Sequence, residues 1–205
     1  MVVIVDYGMG NLRSIQYKLQ KVGFNAVVSN EAGVIKTADR LILPGVGAFT
    51  AGMQNLHASG LVPVLNEMVL EKKIPVMGVC LGMQLFSHTS DEGGAEGLGW
   101  LDAETVVFHF EEQEKALPVP HVGWNSLTRK KDSILLKNVP ENQLFYFTHS
   151  YHLHCRDEQD IAATTFYGYE FPSVVQKGNI CGAQFHPEKS HKCGLDLYLN
   201  FLRAD

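Results

Sequence analysis

Gly78-Val79-Cys80-Leu81-Gly82 carries the strongest chemical signal in this sequence. A thiol between two glycines, after an apolar run and before a short helical pattern, is the cysteine counterpart of the strand-turn-helix elbow that presents a nucleophilic serine. The nucleophile must sit on a tight, strained turn, and flanking glycines let the backbone fold there without a Cβ clash. A helix N-terminus beside the sulfur brings partial positive charge and favours the thiolate. The N–H of Leu81 then points to where an oxyanion would develop. Read alone, Cys80 is equally a small buried hydrophobe. Cys155, Cys181 and Cys193 lack glycine-flanked turns and read as structural.

A thiol nucleophile needs a proton acceptor, and the chain offers nine histidines. His186, in Gln184-Phe185-His186-Pro187-Glu188, ends a strand-like segment and has a carboxylate two residues on. Residues i and i+2 of an extended chain face the same way. Pro187 pushes His186 toward extended geometry, so Glu188 can hold one ring nitrogen while the other faces Cys80. The plain alternative is a strand-end histidine near a surface glutamate. The second candidate base is His149, in Thr148-His149-Ser150-Tyr151; without a carboxylate nearby it reads as a substrate-loop or structural residue. His121 is also unpaired, and His152, His154 and His191 read as surface or edge residues.

Two further segments have chemical potential. Pro44-Gly45-Val46-Gly47 closes a strand, and its glycines free the peptide at Val46 and Gly47 to present a second oxyanion donor. A plain turn is the alternative. Gly8-Met9-Gly10 follows the first strand but fails as a dinucleotide fingerprint, because the third glycine would fall on Arg13.

The elements that must position these residues follow from apolar periodicity. Val2–Val5, Ala26–Val28, Arg40–Leu43 and Ile74–Val79 read as buried strands. Helical spacing over Leu12, Ile15, Leu19 and Val22, with Asn11 to cap and Gly23 to end it, marks a helix between the first two strands. Leu61–Lys73, Leu81–His88 and Leu195–Leu202 read as further helices. This alternation predicts an α/β fold with a mostly parallel central sheet flanked by helices. The second half carries strand-like runs at 106–108, 144–147, 162–166, 173–176 and 181–185 separated by turns, which predicts an antiparallel extension. No linker or repeat divides the chain, so residues 1–205 read as a single domain.

Composition limits the function. At 205 residues, 45% hydrophobic and 19% charged, the chain reads as globular. A net charge of −5, with no basic cluster larger than Arg129-Lys130-Lys131, argues against nucleic acid as a partner. No apolar run approaches the ~20 residues of a membrane span, and the N-terminus lacks the basic region of a signal peptide. The four cysteines form no Cys-x-x-Cys pair, which argues against a zinc site, and a disulfide scaffold is not expected at this length. The expected location is the cytoplasm.

Taken together, the segments resemble the triad (class I) glutamine amidotransferases. Gly-Val-Cys-Leu-Gly-Met-Gln at 78–84 and Gln-Phe-His-Pro-Glu at 184–188 are that family's signatures, in its order. From end to end the chain is most similar to the glutaminase subunits of imidazole glycerol phosphate synthase. The matching segments include Asp6-Tyr7-Gly8-Met9-Gly10-Asn11-Leu12, Pro120-His121-Val122-Gly123-Trp124-Asn125 and Phe145-Tyr146-Phe147-Thr148-His149-Ser150-Tyr151.

The resemblance implies a flavodoxin-like fold, a Cys80–His186–Glu188 triad, L-glutamine as substrate and no cofactor or metal. It places Gln84, Glu92 and the backbone of His149, Ser150 and Tyr151 around the amino-acid end of glutamine. Leu81, Val46 and Gly47 become the oxyanion donors, with the 44–47 peptide expected to reorient when the partner engages. Asn11, Trp124, Tyr146 and Lys189 match positions facing a (βα)₈-barrel cyclase, which uses the ammonia in histidine biosynthesis. The run Lys189-Ser190-His191-Lys192 departs from that pattern and resembles a paralogous group whose ammonia goes to a sugar-amidating partner in surface-polysaccharide synthesis. Two readings from other classes are a free-standing cysteine amidase or peptidase and a silent binding module. Intact Cys80, His186 and Glu188 argue against the silent module.

Overall fold

A computed structural model of the chain describes residues 1–110 and 117–204. Its first part alternates strands and helices: β1 (Val2–Val5), α1 (Leu12–Lys21), β2 (Ala26–Ser29), α2 (Ala32–Ile35), β3 (Arg40–Gly45), α3 (Phe49–Ala58), α4 (Leu61–Asn66), β4 (Val76–Cys80) and α5 (Leu81–Gln84). Next come β5 (Thr89–Ser90), β6 (Ala95–Glu96), β7 (Ala103–Val107), β8 (His121–Ser126), β9 (Thr128–Arg129), β10 (Leu144–His149) and β11 (Tyr151–Cys155). The chain closes with β12 (Ile161–Tyr167), β13 (Tyr169–Lys177), β14 (Ile180–Ala183) and α6 (His191–Arg203).

The main sheet has the order β2-β1-β3-β4-β14-β13-β12-β9. The pairings from β2 through β14 are parallel, and those from β14 outward are antiparallel. The strand β1 shows why its sequence is an unbroken apolar run. Val3 and Val5 enter one core with α2, α3 and α4, while Val2 and Ile4 enter the other with α1 and α6. A strand covered on both faces has no polar position to alternate with.

The structure bears out the parallel half and changes several details. An additional helix, α3, precedes α4. The helix after Cys80 ends at Gln84 rather than His88, because the chain turns there to enter β5. The last helix begins at His191, before the apolar spacing that marks it from Leu195. The antiparallel strands only partly extend the main sheet: β10–β8 and β11–β7–β5–β6 form two smaller sheets of their own. No helix of the described residues is long and apolar enough to cross a membrane.

Candidate active site

The site forms where parallel strands end together, the usual place for ligands in open α/β sheets. Register sets its geometry. Gly45 of β3 lies opposite Cys80, and Ala183 of β14 lies opposite Val79. The residues just past β14 therefore arrive beside the thiol, although about a hundred positions separate them in sequence.

Cys80 adopts φ +54° and ψ −114°, a conformation an L side chain rarely takes, and it opens α5. Such strain persists only where surrounding packing enforces it. The enforcing contact is visible at Gly82, where a Cβ would lie 1.8 Å from the Leu43 carbonyl oxygen. Only glycine lets β3 come this close to the start of α5.

His186 leaves β14 in extended geometry, and Glu188 sits in a 3₁₀ turn over Pro187–Lys189. This corrects the extended-chain expectation: the turn, not strand alternation, returns the carboxylate to the ring. His186 Nδ1 and Glu188 Oε1 are 2.8 Å apart, and both side chains are 2% exposed. Burial alone pushes the His186 ring down. Hydrogen bonding with Cys80 and Glu188, reinforced by their charges, outweighs it and raises the ring to about 9. On the far side of Glu188 lies Tyr198 of α6, fully buried; burial first, then the Glu188 charge, pushes its phenol well above the ordinary value.

A cleft of about 330 Å³ brings the expected residues together. Cys80 and His186 line it with Leu81, Val46 and Gly47. Its other walls include Gln84, Glu92, His149, Ser150 and Tyr151, so each expected substrate-side residue reaches one space. Gly47 has φ +110°. The Tyr7 hydroxyl donates to the Pro44 carbonyl at 2.6 Å and so ties the 44–47 segment to the turn after β1. Burial, then the nearby Cys80 charge, pushes this phenol well up. Glu92 accepts from the Phe49 N–H at 2.7 Å, which seats its loop on the start of α3.

Three histidine readings change. His121 is paired, with its Nδ1 3.1 Å from His149 Nε2. His152 is 4% exposed and bonds Tyr169 through Nε2 at 2.7 Å. Burial pushes both His121 and His152 down to about 4 and His149 well below its ordinary value, so these three rings are neutral at pH 7. The residues expected at a partner surface divide. Asn11 caps α1 by accepting from the Ser14 N–H at 3.4 Å. Trp124 is 44% exposed, with Tyr146 edge-on at 5.8 Å, and the Lys189 ammonium lies 5.4 Å from the Tyr146 ring. His191 is not a simple edge residue: its ring stacks on Trp124 at 4.8 Å and 5°.

Sequence reasoning gave no role to Gln184, which is wholly buried and bonds to Cys80. The signal was present as an amide at the end of an otherwise apolar strand.

Comparison with known proteins agrees with this geometry. The family described as "Glutamine amidotransferase class-I" matches residues 3–203. "Imidazole glycerol phosphate synthase subunit HisH 2" of Methanococcus maripaludis is 47% identical, covering 99% of this chain and 99% of its own. The protein of the same name from Pseudomonas aeruginosa is 46% identical, with 98% of each chain covered. Among solved structures, PurLQS from Thermotoga maritima superposes with a TM-score of 0.71 at 16% identity, over 98% of this chain and 96% of that one. The glutaminase domain of Trypanosoma brucei CTPS, with bound acivicin, gives 0.65 at 16%, over 100% and 94%. These two likenesses are in fold. The family match and the near-full-length relatives establish that the chain belongs to the class I glutamine amidotransferases, in the group of HisH subunits.

Proposed function

We propose that this chain, as one glutaminase domain over residues 1–205, hydrolyses L-glutamine and delivers the ammonia to the partner subunit of imidazole glycerol phosphate synthase. One observation carries the reading: the strained Cys80 turn and the buried His186–Glu188 pair meet in a cleft with room for one small amino acid. The Cys80 sulfur attacks the carboxamide carbon, and the carbonyl electron pair moves to oxygen, facing the Leu81 N–H and the Val46–Gly47 peptide. Collapse expels the amide nitrogen, which takes a proton from His186 and leaves as ammonia. Water then attacks the thioester, gives a proton back to His186, and releases glutamate and the Cys80 thiolate. Glu188 holds the ring and stabilises its charged form. Gln84, Glu92 and the 149–151 segment hold the amino-acid end of the substrate.

Ammonia is mostly protonated in neutral water and must travel by a dry route to an acceptor. The acceptor subunit in this proposal is a (βα)₈-barrel cyclase of histidine biosynthesis, bound as a heterodimer in the cytoplasm. Trp124, Tyr146 and Lys189 form the patch that meets it, with Asn11 at the same interface. A second reading rests on His191, whose ring covers one face of Trp124. His191 belongs to the His-Lys run that resembles the group with a sugar-amidating partner, and its stack changes the patch a partner would meet. The deciding experiment is affinity capture of the full chain from its own cells, followed by glutaminase kinetics with the captured protein. A cyclase that raises the rate supports the first reading, and a sugar-modifying enzyme supports the second. Full glutaminase activity without any partner would refute both.

A further inference from the structure

A continuous hydrogen-bonded chain of buried amides reaches the thiol from the substrate wall. The Gln84 Nε2 donates to the Tyr151 carbonyl at 2.7 Å and to Gln184 Oε1 at 3.1 Å. Gln184 Nε2 in turn donates to the Cys80 sulfur at 3.7 Å. Both glutamines are buried, Gln184 completely.

The direction of this chain is not arbitrary. A backbone carbonyl only accepts, so the Gln84 nitrogen must face Tyr151. That nitrogen's second hydrogen then requires an oxygen from Gln184. With its oxygen committed to Gln84, Gln184 has only its N–H₂ left to face the sulfur. The Tyr151 carbonyl is held from the other side by His149 Nδ1 at 2.8 Å, and His149 by His121. Sheet register brings the last link into place, since Gln184 directly follows the residue paired with Val79.

We propose that Gln184 is a catalytic residue of this site, donating an N–H to the Cys80 sulfur and stabilising its thiolate. Gln84 is its positioning residue. The inference rests on Cys80 being the nucleophile and adds a hydrogen-bond donor aimed at its sulfur. A thiolate accepts a hydrogen bond far better than a thiol, so the donor acts selectively on the reactive form.

The test is the pH dependence of iodoacetamide alkylation of the full chain, read at each cysteine by peptide mass. Gln184→Met keeps the length and removes the donor. Its Cys80 midpoint should move up by about one pH unit, which is about tenfold in the thiol's acid constant. Gln184→Glu removes the donor and adds negative charge, and should move it further. Gln84→Met leaves Gln184 in place without orientation, and should give a smaller shift of the same sign. Thermal unfolding identifies any variant that fails to fold, and the remaining variants then decide. Midpoints that stay unmoved in folded variants, with a reactive wild-type Cys80, overturn the role of Gln184 alone. A wild-type Cys80 no more reactive at neutral pH than the half-buried Cys193 would overturn the nucleophile and this inference with it.

Discussion

Replacing Glu188 by glutamine removes a charge and leaves the shape. In the structure the carboxylate holds His186 Nδ1 at 2.8 Å, with both side chains 2% exposed. The ring rises from 6.5 to about 9 against the pull of burial. At about 1.4 kcal/mol per pH unit this is roughly 3 kcal/mol of preference for the imidazolium, supplied jointly by Cys80 and Glu188. Assigning about half to Glu188 gives roughly 1–2 kcal/mol, or a loss of about tenfold in kcat. The upper limit is set by the tautomer: an amide that offers its N–H₂ to Nδ1 forces the wrong one, and such errors cost up to ~10⁴. Steady-state glutamate release, measured with the partner present, should show kcat down by at least tenfold and KM within about twofold. His186→Ala should lose more, since no group then carries the proton. Stability gives an independent reading. A histidine raised in the folded state contributes stability that is complete below its unfolded value near 6.5 and is lost as pH rises through about 9. Thermal stability of the wild type should fall over that window, and Glu188→Gln should flatten the fall. Equal kinetic losses in the two variants, or an unchanged stability profile, would refute the division of labour argued here.

Cys80→Ala should abolish glutamine hydrolysis while leaving the melting temperature within a few degrees, because losing the sulfur removes little packing and alanine's Cβ leaves the backbone strain of the turn unchanged; residual turnover above a few percent would disprove the nucleophile. Gly47→Val places a β-branched residue at φ +110°, at a cost of about 1–3 kcal/mol, and should reduce partner-stimulated turnover about tenfold or more while basal turnover changes less. Equal effects on both rates, measured with and without partner and acceptor ligand, would contradict gating at the 44–47 peptide. Gly82→Ala drives a methyl into the Leu43 carbonyl and should prevent accumulation of folded protein, or lower its unfolding free energy by about 3 kcal/mol or more. An unfolding curve like that of the wild type would show that β3 and α5 can separate.

The parallel half was legible in sequence because strands buried on both faces announce themselves as continuous apolar runs, as at Val2–Val5 and Arg40–Leu43. The helix α3 was not. Phe49, Gly52, Met53 and Leu56 carry the right spacing, but Ala48 offers no capping side chain and Gly52 interrupts the middle. The convergence of Cys80, His186 and Glu188 was legible from their motifs, while the way Glu188 reaches His186 was not, since a 3₁₀ turn at Pro187–Lys189 leaves no periodic mark. Pairing of His121 with His149 depends on the β8–β10 register, which places them opposite each other. Burial of His152 depends on aromatic rings from Phe108, Tyr169 and Phe171. Neither can be read from one strand alone. Gln184 was hidden for the same reason: its partners Gln84 and Cys80 lie on the far side of a crossover.

The place of β14 has a consequence for the order in which the protein is made. This strand sits between β4 and β13, so the early half of the chain leaves the ribosome with the edge of β4 bare. An apolar strand edge in that state is a template for pairing with other chains. The late residues Ile180–Ala183 close it, and the same motion delivers Gln184 and His186 to Cys80. A nascent or truncated chain therefore holds the Cys80 turn with no histidine beside it. Completion of the sheet covers that edge and sets His186 and Gln184 beside Cys80 in a single late event.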